Sequence, residues 1–518
     1  MSAVESALNS APSTMRTFGI SWPLVVALLA LVGVLGSARF NSVLADPDTY
    51  WHLAAGRWIL EHNALPRSDP FSYSMSGAPW TPHEWLSQVV LAVVNHSANW
   101  TGLVVLVALV FSGTLAYMTR FLLKRMEPVY ALLFTALAAG MMMGHLLVRP
   151  HIFGWFLMAV WIGALVDAGE EQREPPWWTF GLMALWANLH SSFFLGLALG
   201  GGLAADAVLR FPAQLRFGAA RRWAIFIGLA VLAAMITPSG WKGLLFPLEV
   251  MGMPFSLDVI QEWHSPDFHK PQVLELWLLL LLAVACLGRL RLPVLRLIVV
   301  LGLVHLSLKH QRHIAILGLI TPFLLALPFA ASRLSSKGRG HDVEGLDRVF
   351  EALAAPATRS ATLVAASVSV LLIGVSLHLG RFEPPPDKTP ARALEAANNA
   401  GAMGPVLNSY NFGGYLIYRG VPVFIDGRSD MYGDALLKRY VDAVGLSELD
   451  ALPRLLADYH IGWTLLEPGT PAATLLDHLP GWRRVHADTV AVVHVRNESA
   501  APLMRRGGEG ALPLSRGN

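Results

Sequence analysis

What most limits the fold of this chain is a succession of apolar runs close to twenty residues long, parted by short polar breaks. They fall at 19–36, 101–123, 129–145, 151–168, 177–190, 193–209, 223–238, 274–288, 293–308, 313–331 and 361–380. Roughly 20 apolar residues are what an α-helix needs to cross the hydrocarbon core of a bilayer. Lipid offers no partner to backbone polar groups, so helices are the spanning structure such runs can form. Charged residues make up 14% of the 518 positions, against about 25% in soluble globular proteins. The chain therefore reads as a polytopic α-helical membrane protein of about eleven spans. Several runs fall short of a full crossing, which predicts tilted, broken or partly re-entrant helices around a cavity. The least marked boundary is Asn188–Ser192, a short polar break between two runs.

Lys and Arg set the orientation, because cytoplasmic loops carry an excess of them. One set of breaks holds Arg16; Arg120, Lys124 and Arg125; Arg173; Arg210, Arg216, Arg221 and Arg222; Arg289, Arg291 and Arg296; and Arg333, Lys337 and Arg339. That side is the expected cytoplasm. The opposite side takes 37–100, the Arg149–His151 turn, the break at His190, the loop 239–273, the Lys309–His313 turn and everything after 380. The expected setting is the inner membrane of a bacterium, with the N-terminus inside and the C-terminal part outside. The first run follows no compact cleavable signal and reads as an anchor. A net charge of +3, with the cations in clusters between apolar runs, gives no case for nucleic acid. The single Cys286 excludes an internal disulfide and reads as a small core hydrophobe.

Composition changes after Pro384–Pro386. Residues 1–383 form the expected membrane domain, with 37–100 as its first outer loop. Residues 384–498 read as a small extracytoplasmic α/β domain, with helices at Ala391–Ala400 and Ala435–Ala443 and strands at Val421–Ile425, Trp463–Leu466 and Thr489–Val495. The Gly/Arg-rich tail 499–518 reads as disordered.

The polar residues outside the apolar runs carry the functional signal. In Ala45–Leu53, Asp46 before Pro47 is a good helix start. Asp48 falls in the first turn, four residues from His52 and on the same face. Two carboxylates and a histidine at a membrane surface could hold a divalent cation, Mg or Mn, or act as a general base. His83 and Glu84 precede another apolar helix between tryptophans of the interfacial kind. The acids here can also be read as helix-start residues that favour the dipole. Arg149 and His151, His190, Glu262 and His264, and the run His310–His313 all lie at span ends on one side. Ionisable groups gathered so within a membrane protein suggest a site. The planar fork of Arg149 or Arg312 suits a phosphate. No His-Glu-x-x-His, P-loop or Gly-x-Ser-x-Gly motif is present.

The first loop resembles that of the GT-C class of membrane glycosyltransferases, in which an acidic pair followed by an aromatic lies just after the first span. Asp46, Asp48 and Tyr50 fit that pattern. The run Asp48–His52 is also similar to the equivalent loop of oligosaccharyltransferase catalytic subunits. In the C-terminal part, Asn408–Leu416 and then Phe424–Arg428 resemble their aromatic–Asp–aromatic–Gly motif and later Asp-Gly, with Asn411 standing where the acid would be. Where the class often has a second acidic motif, this chain has Arg149-Pro150-His151.

The resemblance implies transfer of a sugar from a polyprenyl-phosphate donor in the membrane lipid to an extracytoplasmic glycan, lipid or protein. Asp48 would be the base, with Asp46 as its alternative. His52, His83 and Glu84 would orient that site or share a metal. Arg149, His151, His310, Arg312 and His313 would neutralise the donor phosphate, and Glu262 and His264 would lie on a loop closing over the donor. Tyr410, Asn411, Asp426 and Arg428 would form an acceptor-facing surface. A transporter or flippase for a lipid-linked or anionic substrate, and a non-catalytic envelope scaffold, are the other readings of such a chain.

Overall fold

A computed structural model describes residues 19–36, 42–287, 290–334, 346–380 and 382–497. The expected tail 499–518 and the basic residues Arg16, Arg289, Lys337 and Arg339 lie outside the described residues. The chain divides into two compact units. One takes the residues up to Pro70, Gly77–Pro385 and Ser429–Asp434; the other takes Phe71–Ser76, Pro386–Arg428 and the chain from Ala435 onward. The division is thus interleaved, where a single cut near 383 was expected.

The first unit is helical. Its helices are α1 (Trp22–Gly36), α2 (Asp48–His62), α3 (Trp85–Leu123), α4 (Pro128–Met143), α5 (His151–Glu170), α6 (Trp178–Leu189), α7 (Phe193–Arg210) and α8 (Arg216–Ala234). After these come α9 (Lys242–Met251), α10 (Pro254–Val259), α11 (Val273–Cys286), α12 (Val294–Lys309), α13 (Ile314–Leu334), α14 (Leu346–Ala354) and α15 (Arg359–Leu379). Each of the eleven apolar runs coincides with a helix. Among the described residues six helical stretches are long and apolar enough to cross a membrane: Trp85–Leu123, His151–Glu170, Phe193–Arg210, Ala213–Ala234, Gln311–Ser332 and Arg359–Leu379. Trp22–Gly36, Pro128–Met143 and Val273–Cys286 are apolar but shorter. The protein is a multi-pass membrane protein.

Helix α3 is broken just before the apolar run 101–123. Ala98 and Asn99 leave the helical region, Asn99 with φ +53°, so a segment from Trp85 meets the apolar segment from Thr101 at a kink. Helix α2 packs along α3. The approach is close because position 56 is glycine: a Cβ there would stand 2.0 Å from the carbonyl oxygen of Gln88. Arg57 donates to Asn95 at 2.9 Å beside the same seam.

The second unit holds a four-stranded sheet of order β1-β2-β4-β3, from β1 (Val406–Asn408), β2 (Trp463–Leu466), β3 (Trp482–Ala487) and β4 (Val492–Arg496). β1 runs parallel to β2, with Val406 opposite Trp463; the other pairings are antiparallel. Helices α16 (Ala391–Asn399), α17 (Gly413–Tyr418), α19 (Ala451–Asp458) and α20 (Pro471–Leu476) belong to the same unit. Helix α18 (Ser429–Gly445) is interrupted at Gly433, φ +68°, and its first residues count with the helical unit.

The expected strand Val421–Ile425 is not part of this sheet. Its last three residues, Val423–Ile425, are buried, and its backbone is held by an isolated parallel bridge from Val423 to Ser72 and by the Asn408 side chain. Asn408 accepts from the Phe424 N–H at 2.9 Å and donates to the Ile425 carbonyl at 2.7 Å. The apolar pattern reported burial, and a side chain took over the work of a neighbouring strand.

Candidate functional site

The segment before α2 is zipped to the turn after α4. The Val148 N–H donates to the Val43 carbonyl at 2.9 Å, and the Thr49 hydroxyl donates to the Val148 carbonyl at 2.9 Å. Two bonds so close together leave Arg149 beside the start of α2. Asp46 does fasten that start: its Oδ1 accepts the Asp48 N–H at 2.9 Å. Its other oxygen, Oδ2, lies 3.1 Å from Arg149 Nε. Asp48 Oδ2 accepts from Arg149 Nη2 at 2.7 Å. Arg149 Nη1 pairs with Glu262 in the single turn Gln261–Trp263. One guanidinium thus stands among three carboxylates, hydrogen-bonded to Asp48 and Glu262 and close to the Asp46 Oδ2, which is buried without a hydrogen-bond partner.

Burial governs the electrostatics here. It raises the Asp46 carboxyl to about 7, partly opposed by Arg149 and reinforced by Asp48. Burial alone would lower the Arg149 guanidinium, but Asp46, Glu262, Asp48 and Glu84 hold it well above its ordinary value. Glu262 is pushed up by burial and pulled down further by Arg149 and Arg312, ending at about 2.

The 261–263 turn is itself held by the 310–313 segment. The His310 Nδ1–H donates to the Trp263 carbonyl at 2.6 Å, and the Gln311 N–H to the His264 carbonyl at 2.9 Å. Arg312 lies over the Trp263 ring, 4.5 Å from its centroid, and reaches Glu262 at 3.7 Å. His313 stands edge-on to Trp263, with its Nδ1 buried and unbonded. His264 turns away and bonds to the Asp258 carbonyl at 2.8 Å.

Glu84 forms the second part of the cluster. It precedes α3 without capping it, and its carboxylate lies 3.3 Å from His190 Nε2 and 4.0 Å from His52 Nε2. The Ser192 N–H donates to His190 Nδ1 at 3.0 Å, so the ring proton is on Nε2 and faces Glu84. Burial holds His190 and His52 well below the ordinary histidine value, so both are neutral. His151 bonds through Nε2 to the His145 carbonyl at 2.8 Å, and its ring stands edge-on to His190.

Asp46, Asp48, Arg149, Glu262 and Arg312 therefore meet, with His310 and His313 behind them, and Glu84, His52, His151 and His190 form the adjoining group. His83 is not brought in: it stacks on Phe246, and burial lowers it to about 4. Among the described residues no group of three His, Cys, Asp or Glu side chains is placed to hold a metal, and Arg149 stands within ion-pair distance of the three nearest acids. His190 was legible only as one of several polar breaks between apolar runs.

In the second unit, Asp426 and Arg428 are 0% and 1% exposed and face each other. Arg428 Nε donates to Asp426 Oδ1 at 2.8 Å and Nη2 to Oδ2 at 2.6 Å. The expected surface is corrected at these two positions, because both charged side chains are buried. Asn411 is exposed and donates to Glu467 at 2.9 Å, while the Tyr410 N–H donates to the Tyr440 hydroxyl at 3.0 Å.

No protein-family model and no curated protein matches the chain. Solved structures do. The oligosaccharyltransferase AglB of Archaeoglobus fulgidus, in complex with an inhibitory peptide and a dolichol-phosphate, is similar over 93% of this chain and 74% of its own, with a TM-score of 0.52 at 12% identity. The apo form of the A. fulgidus oligosaccharyltransferase matches over 86% and 69%, with a TM-score of 0.50 at 11% identity. ArnT of Cupriavidus metallidurans, bound to undecaprenyl phosphate, gives a TM-score of 0.46 at 13% identity, over 91% of this chain and 98% of its own. The chain has the fold of the A. fulgidus oligosaccharyltransferase AglB.

Proposed function

We infer that the protein is a membrane glycosyltransferase that moves a sugar from a polyprenyl-phosphate carrier to an acceptor on the extracytoplasmic side. The observation that carries this reading is the meeting of Asp46, Asp48, Arg149, Glu262 and Arg312 in a chain with the fold of AglB. The dolichol-phosphate in the AglB complex supports the carrier class.

In the proposed reaction an acceptor heteroatom attacks the sugar C1 from the face opposite the carrier. The bond from C1 to the phosphate oxygen breaks, its electron pair leaves with the phosphate, and a carboxylate takes the acceptor proton. The sugar inverts. Asp48 suits the base better than Asp46, because its side chain is 17% exposed against 4%, and one Asp46 oxygen is already taken by the Asp48 N–H. Arg312 suits the leaving phosphate: Arg149 is committed to carboxylates, whereas Arg312 reaches Glu262 only at 3.7 Å and stacks on Trp263. In the second unit, Asn411 and Tyr410 are the residues left to face an acceptor.

The test is release of polyprenyl phosphate from sugar-loaded carriers by the purified protein with acceptor present. Turnover is expected in wild type. Asp48→Asn keeps shape but not basicity, so the rate should fall about 10²–10⁴-fold with membrane insertion unchanged. An Asp48→Asn protein as active as wild type would reduce Asp48 to a helix-start acid.

A further inference from the structure

A guanidinium has three nitrogens, and in Arg149 each faces a different acid. Nε is 3.1 Å from Asp46, Nη2 is 2.7 Å from Asp48, and Nη1 pairs with Glu262. The acids come from the turn before α2, from its first turn, and from a loop more than a hundred residues further on. Carboxylates gathered this closely repel one another unless a cation stands among them. A divalent ion meets that need with oxygen ligands at roughly 2.0–2.6 Å. Here the central position is already filled by a group that keeps its charge at any physiological pH. Asp46 and the Arg149 side chain are 4% and 20% exposed, so the pairing is shielded from water and salt.

We propose that Arg149 is the resident cation of this site, a side-chain replacement for the divalent ion its three carboxylates would otherwise recruit. The arrangement makes the geometry of Asp48 independent of metal supply. It also divides labour between the two arginines: one organises the acids, the other faces an incoming anion.

The experiment is titration of the full-length protein in detergent with Mn²⁺, followed by electron paramagnetic resonance. It needs neither sugar nor carrier lipid, so its failure and the failure of the transfer reaction are separate results. Wild type and Arg149→Lys are expected to show no saturable Mn²⁺. Arg149→Gln removes the charge while keeping much of the volume. It should gain one saturable equivalent in the range of about 10⁻⁴–10⁻³ M typical of weak carboxylate sites, and lose it when Asp48→Asn is added. A saturable equivalent in wild type that disappears in Asp48→Asn overturns the proposal, as does a folded Arg149→Gln that stays blind to Mn²⁺. Should Arg149→Gln not fold, wild type against Asp48→Asn decides alone: no saturable Mn²⁺ in wild type sustains the proposal.

Discussion

Glu84 stands between two neutral imidazoles, one presenting its Nε2–H at 3.3 Å. Burial is the largest influence on its carboxyl and raises it from 4.5 to about 7; Arg149 and Arg312 oppose this, and Asp430 and Asp48 add to it. A carboxyl that holds its proton more tightly when folded stabilises the fold at low pH. Its contribution is full below about 4.5 and is lost as pH rises through about 7. Gln at this position cannot titrate. The melting temperature of wild type minus that of Glu84→Gln should therefore be largest near pH 5 and fall steadily to about pH 8. A difference that stays flat across that range would mean an ordinary carboxyl. The neighbourhood of Glu84 was partly legible: an acid at the mouth of an apolar helix has few places to go in a bilayer. What adjacency could not convey is that His83 and Glu84 point apart, one to Phe246 and the other to His190. The same holds for Asp426 and Arg428, whose i,i+2 spacing reads as an exposed turn until the surrounding chain is seen to cover it.

At the scale of helices, a second charged cluster fastens the other ends of α3, α5, α7 and α12. Arg296 is 1% exposed; its Nε donates to Asp206 at 2.9 Å, Nη2 to Glu170 at 3.1 Å and Nη1 to the Leu324 carbonyl of α13 at 3.0 Å. Arg125 joins through Glu170 at 2.9 Å and through Asp167, and Arg210 joins through Asp206 at 3.0 Å. Three arginines and three acids are thus matched in one network. Removing one partner from a buried pair leaves charge uncompensated and costs about 3–5 kcal/mol. Arg125 and Arg210 stay beside Glu170 and Asp206, so Arg296→Met should lie near the low end, about 3 kcal/mol. Thermal unfolding in detergent checks this, and a loss under about 1 kcal/mol would show the remaining arginines suffice. The arginines were visible in sequence as loop cations. Their acids were not singled out, because each lies in the closing turns of an apolar helix, and their shared partner Arg296 is 90 residues or more away from Asp206 and Glu170.

For the molecule as a whole, the positions of the apolar helices were legible because hydropathy at bilayer length leaves one structure available. The interleaving was not: residues 71–76 join the C-terminal unit and 429–434 the helical unit through backbone and side-chain bonds that no local pattern encodes. Tyr73 donates to the Val406 carbonyl at 2.7 Å, and Asp434 accepts from the Phe255 and Ser256 N–H groups at 3.0 and 2.9 Å. Orientation is the property on which the proposed chemistry depends, since it decides which compartment supplies the acceptor. Arg125, Arg210 and Arg296 all have acids beside them, which on a count of net charge would weaken the case from Lys and Arg. Orientation instead follows the count of Lys and Arg near span ends, and acids contribute little. Arg120, Lys124, Arg216 and Arg221 add to the same side. A reporter active only in the cytoplasm should work when fused near Lys337 and fail when fused after Glu383. The reverse pattern would place Asp48 and Arg149 in the cytoplasm, and the acceptor would have to be sought there.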